Sequence, residues 1–222
     1  MAQVTDIAPQ LHDEIMAIMR RGLARDERLK RLCDKLAESR ADYEDAHKVA
    51  QIAGEHASEA LTRVLKPARL PDRRLYYNIA ERTMKPAMIY ADEITGNFSQ
   101  TVQAQKNQRA RVSIKAIRPK QNTNTMNNLC GLASDYEDFE DGVWVLDKPV
   151  QTTAESFVDR FVRANAFFAA RSGLKPKIVR VAEIDCCPWC SGLEGIFDYG
   201  ALPDGVYARH NNCRCTTDYR IE

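Results

Sequence analysis

No apolar run in the sequence approaches the roughly 18 residues that cross a bilayer, which excludes an integral helical membrane protein. Net charge is also scarce. Lys and Arg total 32 against 31 Asp and Glu, a formal +1, and with 44% apolar residues this excludes a disordered chain. The first ten residues, MAQVTDIAPQ, lack the basic and apolar regions of a secretory signal, so export by that route is not expected. There is no phosphate-binding glycine loop, no serine elbow and no His-Glu-x-x-His, so the familiar signatures of NTPases, hydrolases and metalloproteases are missing. No internal repeat and no long low-complexity tract is present, which argues against a repeat array or an extended flexible linker.

What is present fits one domain or two small ones in 222 residues, enough core to fold without disulfides. The seven cysteines are an odd number, expected to sit in a reducing compartment, and five of them fall between 186 and 215. Charge is uneven: residues 1–125 carry 22 basic and 16 acidic side chains, leaving 10 and 15 for the remainder. The first half is therefore basic and the second acidic, which permits an acidic partner or nucleic acid at the first half.

The pattern predicts a mainly helical α+β fold: a helical region over 1–110, a small α+β segment over 111–177, and a Cys/His knuckle module over 178–222. Leu11, Ile15, Ile18 and Met19 form one apolar stripe, and Leu29, Leu32 and Leu36 form another, so a break is expected near 20–28. Tyr43, Ala46, Ala50, Ala53, Ala57, Ala60 and Val64 recur at heptad-like spacing. That seam predicts close helix packing, either within the chain or in a homo-oligomer through the N-terminal helices. Further helix is expected to about Arg109, with Asp72 as a cap, Pro86 as a kink, and Tyr76, Tyr77 and Tyr90 as packing residues. Strands are expected over 110–117, 142–146 and 175–184. Between the first two lies a polar connection, and a helix over 154–173, capped by Thr152 or Thr153, has Phe157, Phe161, Ala164 and Phe168 inward.

The chemistry concentrates at the end. Cys187-Pro188-Trp189-Cys190 follows a strand, and His210-Asn211-Asn212-Cys213-Arg214-Cys215 comes 19 residues later. Two short ligand clusters separated by a loop are what tetrahedral zinc requires. Cys187 and Cys190 form the first pair, two of His210, Cys213 and Cys215 complete the site, and Cys186 is expected to pack behind. Cys213 and Cys215 are taken to face opposite ways, which favours His210 with one of them. A thioredoxin-type reading of the Cys-x-x-Cys needs a following helix, and SGLEGIFDYGALPDG is a poor one. A disulfide staple is the other alternative, and catalytic zinc would need Glu183, Asp185 or Glu194 beside an open coordination position.

From Lys175 to Tyr219, KPKIVRV, CCPWCSGLEGIFDY and VYARHNNCRCTTDY resemble the C-terminal region of the phage Mu F-like head morphogenesis proteins, also called minor head or minor capsid proteins. Cys187 and Cys190, then Leu193, Glu194 and Gly195, then His210, Cys213, Arg214 and Cys215 carry the match. It covers about a fifth of the chain, and Asn211 stands where many members have proline. The resemblance implies a non-enzymatic virion component of the head interior or portal vertex, made in the host cytoplasm. It would associate with portal or major capsid protein and aid head assembly, DNA packaging or delivery.

Arg214 is expected either to brace the knuckle or to be a solvated charge. Lys106, Arg109, Arg111, Lys115, Arg118 and Lys120 form the densest basic segment, a candidate contact for DNA or an acidic portal surface, although no aromatics are interleaved. The acidic run Asp135, Glu137, Asp138, Glu140 and Asp141 lacks calcium-loop spacing and is read as surface, with the basic segment as a candidate partner. His12, His47 and His56 receive no role. Two functional alternatives stand beside the head-protein reading: a small zinc-dependent hydrolase or nuclease, for which Asp198 joins the candidate carboxylates, and a phage-encoded inhibitor of a host protein.

Overall fold

The computed structural model of the protein describes residues 6–221, so the first five residues of the segment read for a secretory signal lie outside it. The chain is mainly helical, with a three-stranded antiparallel sheet near the C-terminus. No helix among the described residues is long and apolar enough to cross a membrane.

α1 (Ala8–Arg25) opens with Pro9 in its first turn, where a missing N–H costs nothing, and buries Leu11, Ile15 and Met19. The expected break falls at Asp26. Its carboxylate accepts the N–H groups of Arg28 (2.8 Å) and Leu29 (3.3 Å), capping α2 (Glu27–Ala37). α3 (Tyr43–Val64) starts with a reciprocal capping box between Asp42 and Asp45. Every residue of the predicted seam, from Tyr43 to Val64, is buried. The seam is filled within the chain, because α3 lies against α1, α4 (Tyr77–Arg109) and α7 (Lys148–Arg171). Alanine and glycine permit that approach: a Cβ on Gly54 would stand 3.0 Å from the Ala154 Cβ and 3.0 Å from the Gln151 backbone.

Several expectations are corrected. Residues 112–122 form no strand, and α5 (Thr123–Ser134), capped by Asn122, begins inside the stretch read as connection. Residues 142–146 are not a strand either: the short α6 (Phe139–Gly142) passes into a 3-10 turn, Val143–Leu146, that buries Val145 and Leu146 on a helical period. α7 begins before Thr152, with Pro149 in its first turn, and reaches Arg171; Phe157 and Phe161 are buried while Ala164 and Phe168 sit at the edge. α4 is one 33-residue helix running through Pro86, and Asp72 lies outside it in a 3-10 turn, accepting the Tyr76 hydroxyl. Tyr76 and Tyr77 are exposed rather than packed. The acidic run pairs elsewhere than expected, since Asp138 and Glu140 take Arg73.

β1 (Pro176–Val181) is central in the order β2-β1-β3, with β2 (Gly195–Asp198) and β3 (Thr216–Ile221) both antiparallel to it. The sheet lies on α7 and α3. Ile178 and Tyr219, paired across β1 and β3, join Tyr43, Phe98, Phe161 and Val162 in one buried cluster. Polar groups thread it: Tyr43 donates its hydroxyl to Gln103 Oε1 (2.7 Å), and Gln103 Nε2 donates to the Tyr219 hydroxyl (2.6 Å). The sheet is thereby registered on the helices, and its far end presents the cysteine cluster.

Candidate metal centre

Cys187 ends the β1-to-α8 connection as the N-cap of α8 (Pro188–Ser191), a single turn that brings Cys190 back beside it. The backbone N–H of Cys190 points at the Cys187 sulfur and is the main reason its thiol is held below the usual range. His210 reaches over from the loop before β3. Its Nε2 lies 3.3 Å from Cys187 Sγ and 3.1 Å from Cys190 Sγ, and Cys190 Sγ is 3.7 Å from Cys213 Sγ. A tetrahedral zinc with sulfur at about 2.3 Å and nitrogen at about 2.0 Å has S–S edges of about 3.8 Å and S–N edges of about 3.5 Å. The Cys190–Cys213 separation is close to the sulfur–sulfur edge, and the two sulfur–nitrogen separations are somewhat shorter than the sulfur–nitrogen edge.

Two overlapping triads, Cys187/Cys190/His210 and Cys190/Cys213/Cys215, each have their donor atoms within 4.8 Å of one another. Cys190 belongs to both and is fully buried. All five residues predicted from the sequence thus converge. Cys213 and Cys215 do not face opposite ways as expected: residues two apart on extended backbone share a face, and both are buried against Cys190. Either triad could hold a metal ion, with Cys190 common to both and the remaining donor drawn from the other triad. Cys186 packs against the outside of the cluster. All seven cysteines are free thiols.

The histidine is prepared for a cation. Its Nδ1 lies 2.7 Å from the Asn211 carbonyl oxygen, so Nδ1 carries the proton and Nε2 turns its lone pair inward. A backbone carbonyl does this work, so asparagine in place of proline at 211 leaves it intact. Burial pushes the Cys190 thiol well above its usual range, as do the neighbouring Cys215 and Cys213 thiols. Only a positive charge among these sulfurs makes them thiolates together.

Part of that charge is built into the chain. Arg180, on β1, is 2% exposed. Its Nη1 donates to the carbonyl oxygens of Val206 (2.6 Å) and Ala208 (3.1 Å), and its Nη2 lies 3.8 Å from Cys190 Sγ and 3.9 Å from Cys213 Sγ. The guanidinium also sits 5.7 Å from the Trp189 ring centre. Were three thiolates and a neutral imidazole to hold a dication, the set would sum to −1, and the buried Arg180 guanidinium would balance it. In the sequence Arg180 is one charge in a short strand, and only the sheet's packing identifies it.

A second arginine fixes the His210 loop. Arg209 is inserted between α3, α7 and β3: it pairs with Asp159 through Nε and Nη2, with Glu155 through Nη1 (2.8 Å), and donates to the Cys213 carbonyl (3.2 Å). Its Nη2 is 3.2 Å from His47 Nδ1, and His47 Nε2 meets the Thr217 backbone. Burial, then the Arg209 charge, lowers His47 to about 4, so the imidazole is neutral. Burial pushes Asp159 up, but Arg209 and the Thr217 hydroxyl outweigh it and hold the carboxyl below its ordinary value. Glu155 keeps only one contact to the shared guanidinium, and burial raises it to about 7. His47 thus gains a role that its helical sequence context gave no reason to assign. Arg214, read either as a brace or as a solvated charge, donates to Gln151 Oε1 on α7 (3.3 Å), and the carbonyls of the knuckle are held by Arg180 and Arg209.

The predicted basic segment does not act as a unit. Lys106 pairs with Asp218 and lies over the Tyr43 and Tyr219 rings at 5.3 and 5.6 Å. Arg109 donates to the Ser39 and Ala41 carbonyls, and Arg118 to the Asn97 side chain. Arg111, Lys115 and Lys120 are exposed to solvent. Of the acidic candidates, Glu183 and Asp185 line a cavity of about 250 Å³ shared with the cysteine cluster, whereas Glu194 accepts the Ala182 N–H (3.3 Å) and Asp198 lies on β2, 3.9 Å from Lys177.

Comparisons of the chain with family models, with curated proteins and with solved structures gave no match.

Proposed function

We propose that the chain is a non-enzymatic minor head protein of the phage Mu F-like class, whose C-terminal knuckle holds one structural zinc ion. The observation that supports this reading is the convergence of Cys187, Cys190, His210, Cys213 and Cys215, the residues that carry the family resemblance, into one cluster with separations near tetrahedral edge lengths. Sulfur-rich donors around a d¹⁰ ion favour zinc, and a donor set that can fill all four tetrahedral positions favours a structural role. The ion would tie the α8 turn to the loop entering β3, with Arg180 balancing its charge. The partners of such a protein are portal and major capsid subunits. The α3 seam is already filled, so docking or self-association would use the outer faces of α1 and α2; exposed Arg111, Lys115 and Lys120 are available to DNA or to an acidic portal surface.

Glu183 and Asp185 beside the cluster favour, as second reading, a zinc-dependent hydrolase or nuclease. Affinity capture of the chain from phage-infected cells, with particle fractionation, separates the readings. Portal or capsid subunits should co-purify, and the chain should band with heads. Capture dominated by a host protein, with heads lacking the chain, would overturn the head-protein reading in favour of an inhibitor. An activity on nucleic acid or peptide abolished by Asp185→Asn, with zinc content unchanged, would instead establish the enzyme.

A further inference from the structure

A groove of about 490 Å³ runs between α5, α7 and the segment 207–211, sharing none of the five cluster residues but lined by Arg209 and Asn211 on either side of His210. Its volume falls within the roughly 300–1,000 Å³ typical of small-molecule sites. Its apolar lining comes from Leu129, Leu132 and Phe157, the last with the Arg160 guanidinium over its ring at 5.5 Å. The same groove carries donors that the fold leaves without acceptors. Arg160 lines the groove and spends only Nη2, on Asp92; its Nε and Nη1 are shielded from solvent with no hydrogen-bond partner, as is the Tyr207 hydroxyl. Arg163, one helical turn on, also lines the groove and is exposed. Arg118 is near enough to act electrostatically on both Asp92 and Arg160, so Asp92 and Glu93 stand near Arg118 and Arg160, while Asp159, the carboxylate in the groove lining, is held by Arg209. Arg209 adds no free charge to the groove, because Asp159 and Glu155 consume it.

Shielded guanidinium N–H groups without acceptors are costly, and a ligand that only accepts and carries negative charge relieves that cost. A phosphate group does so with several oxygens that fit the planar fork of arginine, and the apolar lining offers a face for a ring. We propose that this groove binds the phosphate of a nucleotide-sized phosphate ester, with exposed Arg163 as the first contact and Arg160 and Tyr207 turning their shielded donors onto it. The inference rests neither on zinc nor on the head-protein reading.

Calorimetric titration of the full chain with inorganic phosphate, AMP, adenosine, and oligothymidylate with and without a 5′-phosphate tests it. AMP should bind and adenosine should not. Arg163→Gln should weaken AMP at least tenfold with unchanged circular dichroism, Tyr207→Phe should weaken it less, and Lys66→Gln, exposed and outside the groove, should leave it unaltered. Tighter binding of the 5′-phosphorylated oligonucleotide than of AMP would assign the phosphate to a nucleic-acid end, and the reverse would assign it to a free nucleotide. Absence of binding by AMP, phosphate and the phosphorylated oligonucleotide at millimolar concentration would overturn the proposal. So would equal affinity for AMP and adenosine, or an Arg163→Gln chain that binds AMP as the native one does.

Discussion

Along α3, burial is achieved with alanine: Ala46, Ala50, Ala53, Ala57 and Ala60 bring α1, α4 and α7 close, and area removed from water holds them there. Around β1 and β3 the interior is different in kind. Arg180, Arg209, Asp159, Glu155, His47 and Thr217 are buried there beside a sulfur cluster. A four-residue α8 and a four-residue β2 contribute little apolar area, so this end rests on buried polar pairing and, on the proposed reading, on a bound ion. The comparison teaches that the two ends should fail independently when their own means of support is removed, except through Arg209, which belongs to both.

The largest expected effect breaks the knuckle alone. Cys190→Ser removes the donor common to both triads; it should abolish metal binding and cost the C-terminal module several kcal/mol. Hydrogen exchange should then rise in β1–β3 while protection in α3 and α4 persists. Arg209→Met attacks the joint: it strands two buried carboxylates and should cost about 3–5 kcal/mol, lowering the melting temperature of both ends together. Overpacking the helical core sharpens the contrast from the other side. Gly54→Val, driven into the Gln151 backbone, should cost about 1–3 kcal/mol by chemical denaturation without altering metal stoichiometry.

The smallest effect concerns acidity. Glu155 is raised to about 7 from 4.5, so its contribution is complete below about 4.5 and is lost as pH rises through 7. Glu155→Gln cannot ionise. Measured by denaturation between pH 5 and 8, the native chain should lose stability relative to this variant as pH rises, by on the order of 2 kcal/mol. A difference independent of pH would mean that Arg209 keeps Glu155 ionised throughout.

The two ends also differ in how far they could be read in advance. The α3 seam, the break at Asp26, the end of α4 at Arg109 and the strand β1 were all legible, because periodicity and capping residues are local signals. Residues 142–146 misled because a short apolar run reads alike as a strand and as a buried helical turn. The five residues of the cluster were legible from spacing. Arg180, Arg209 and His47 were not, since a charged residue announces its burial only through partners distant in sequence, and His47 meets Thr217 across 170 positions. The expectation that Cys213 and Cys215 diverge failed on the two-residue period of extended backbone, and both point inward.

The central claim is that the C-terminal end is organised by a metal ion, and elemental analysis of the purified protein under reducing conditions, with free thiols counted before and after chelation, tests it most directly. The account predicts about one zinc per chain, with the knuckle cysteines protected until chelation while Cys33 reacts at once. A metal-free protein whose cysteines all react freely, with an unaltered melting curve after chelation, would contradict it.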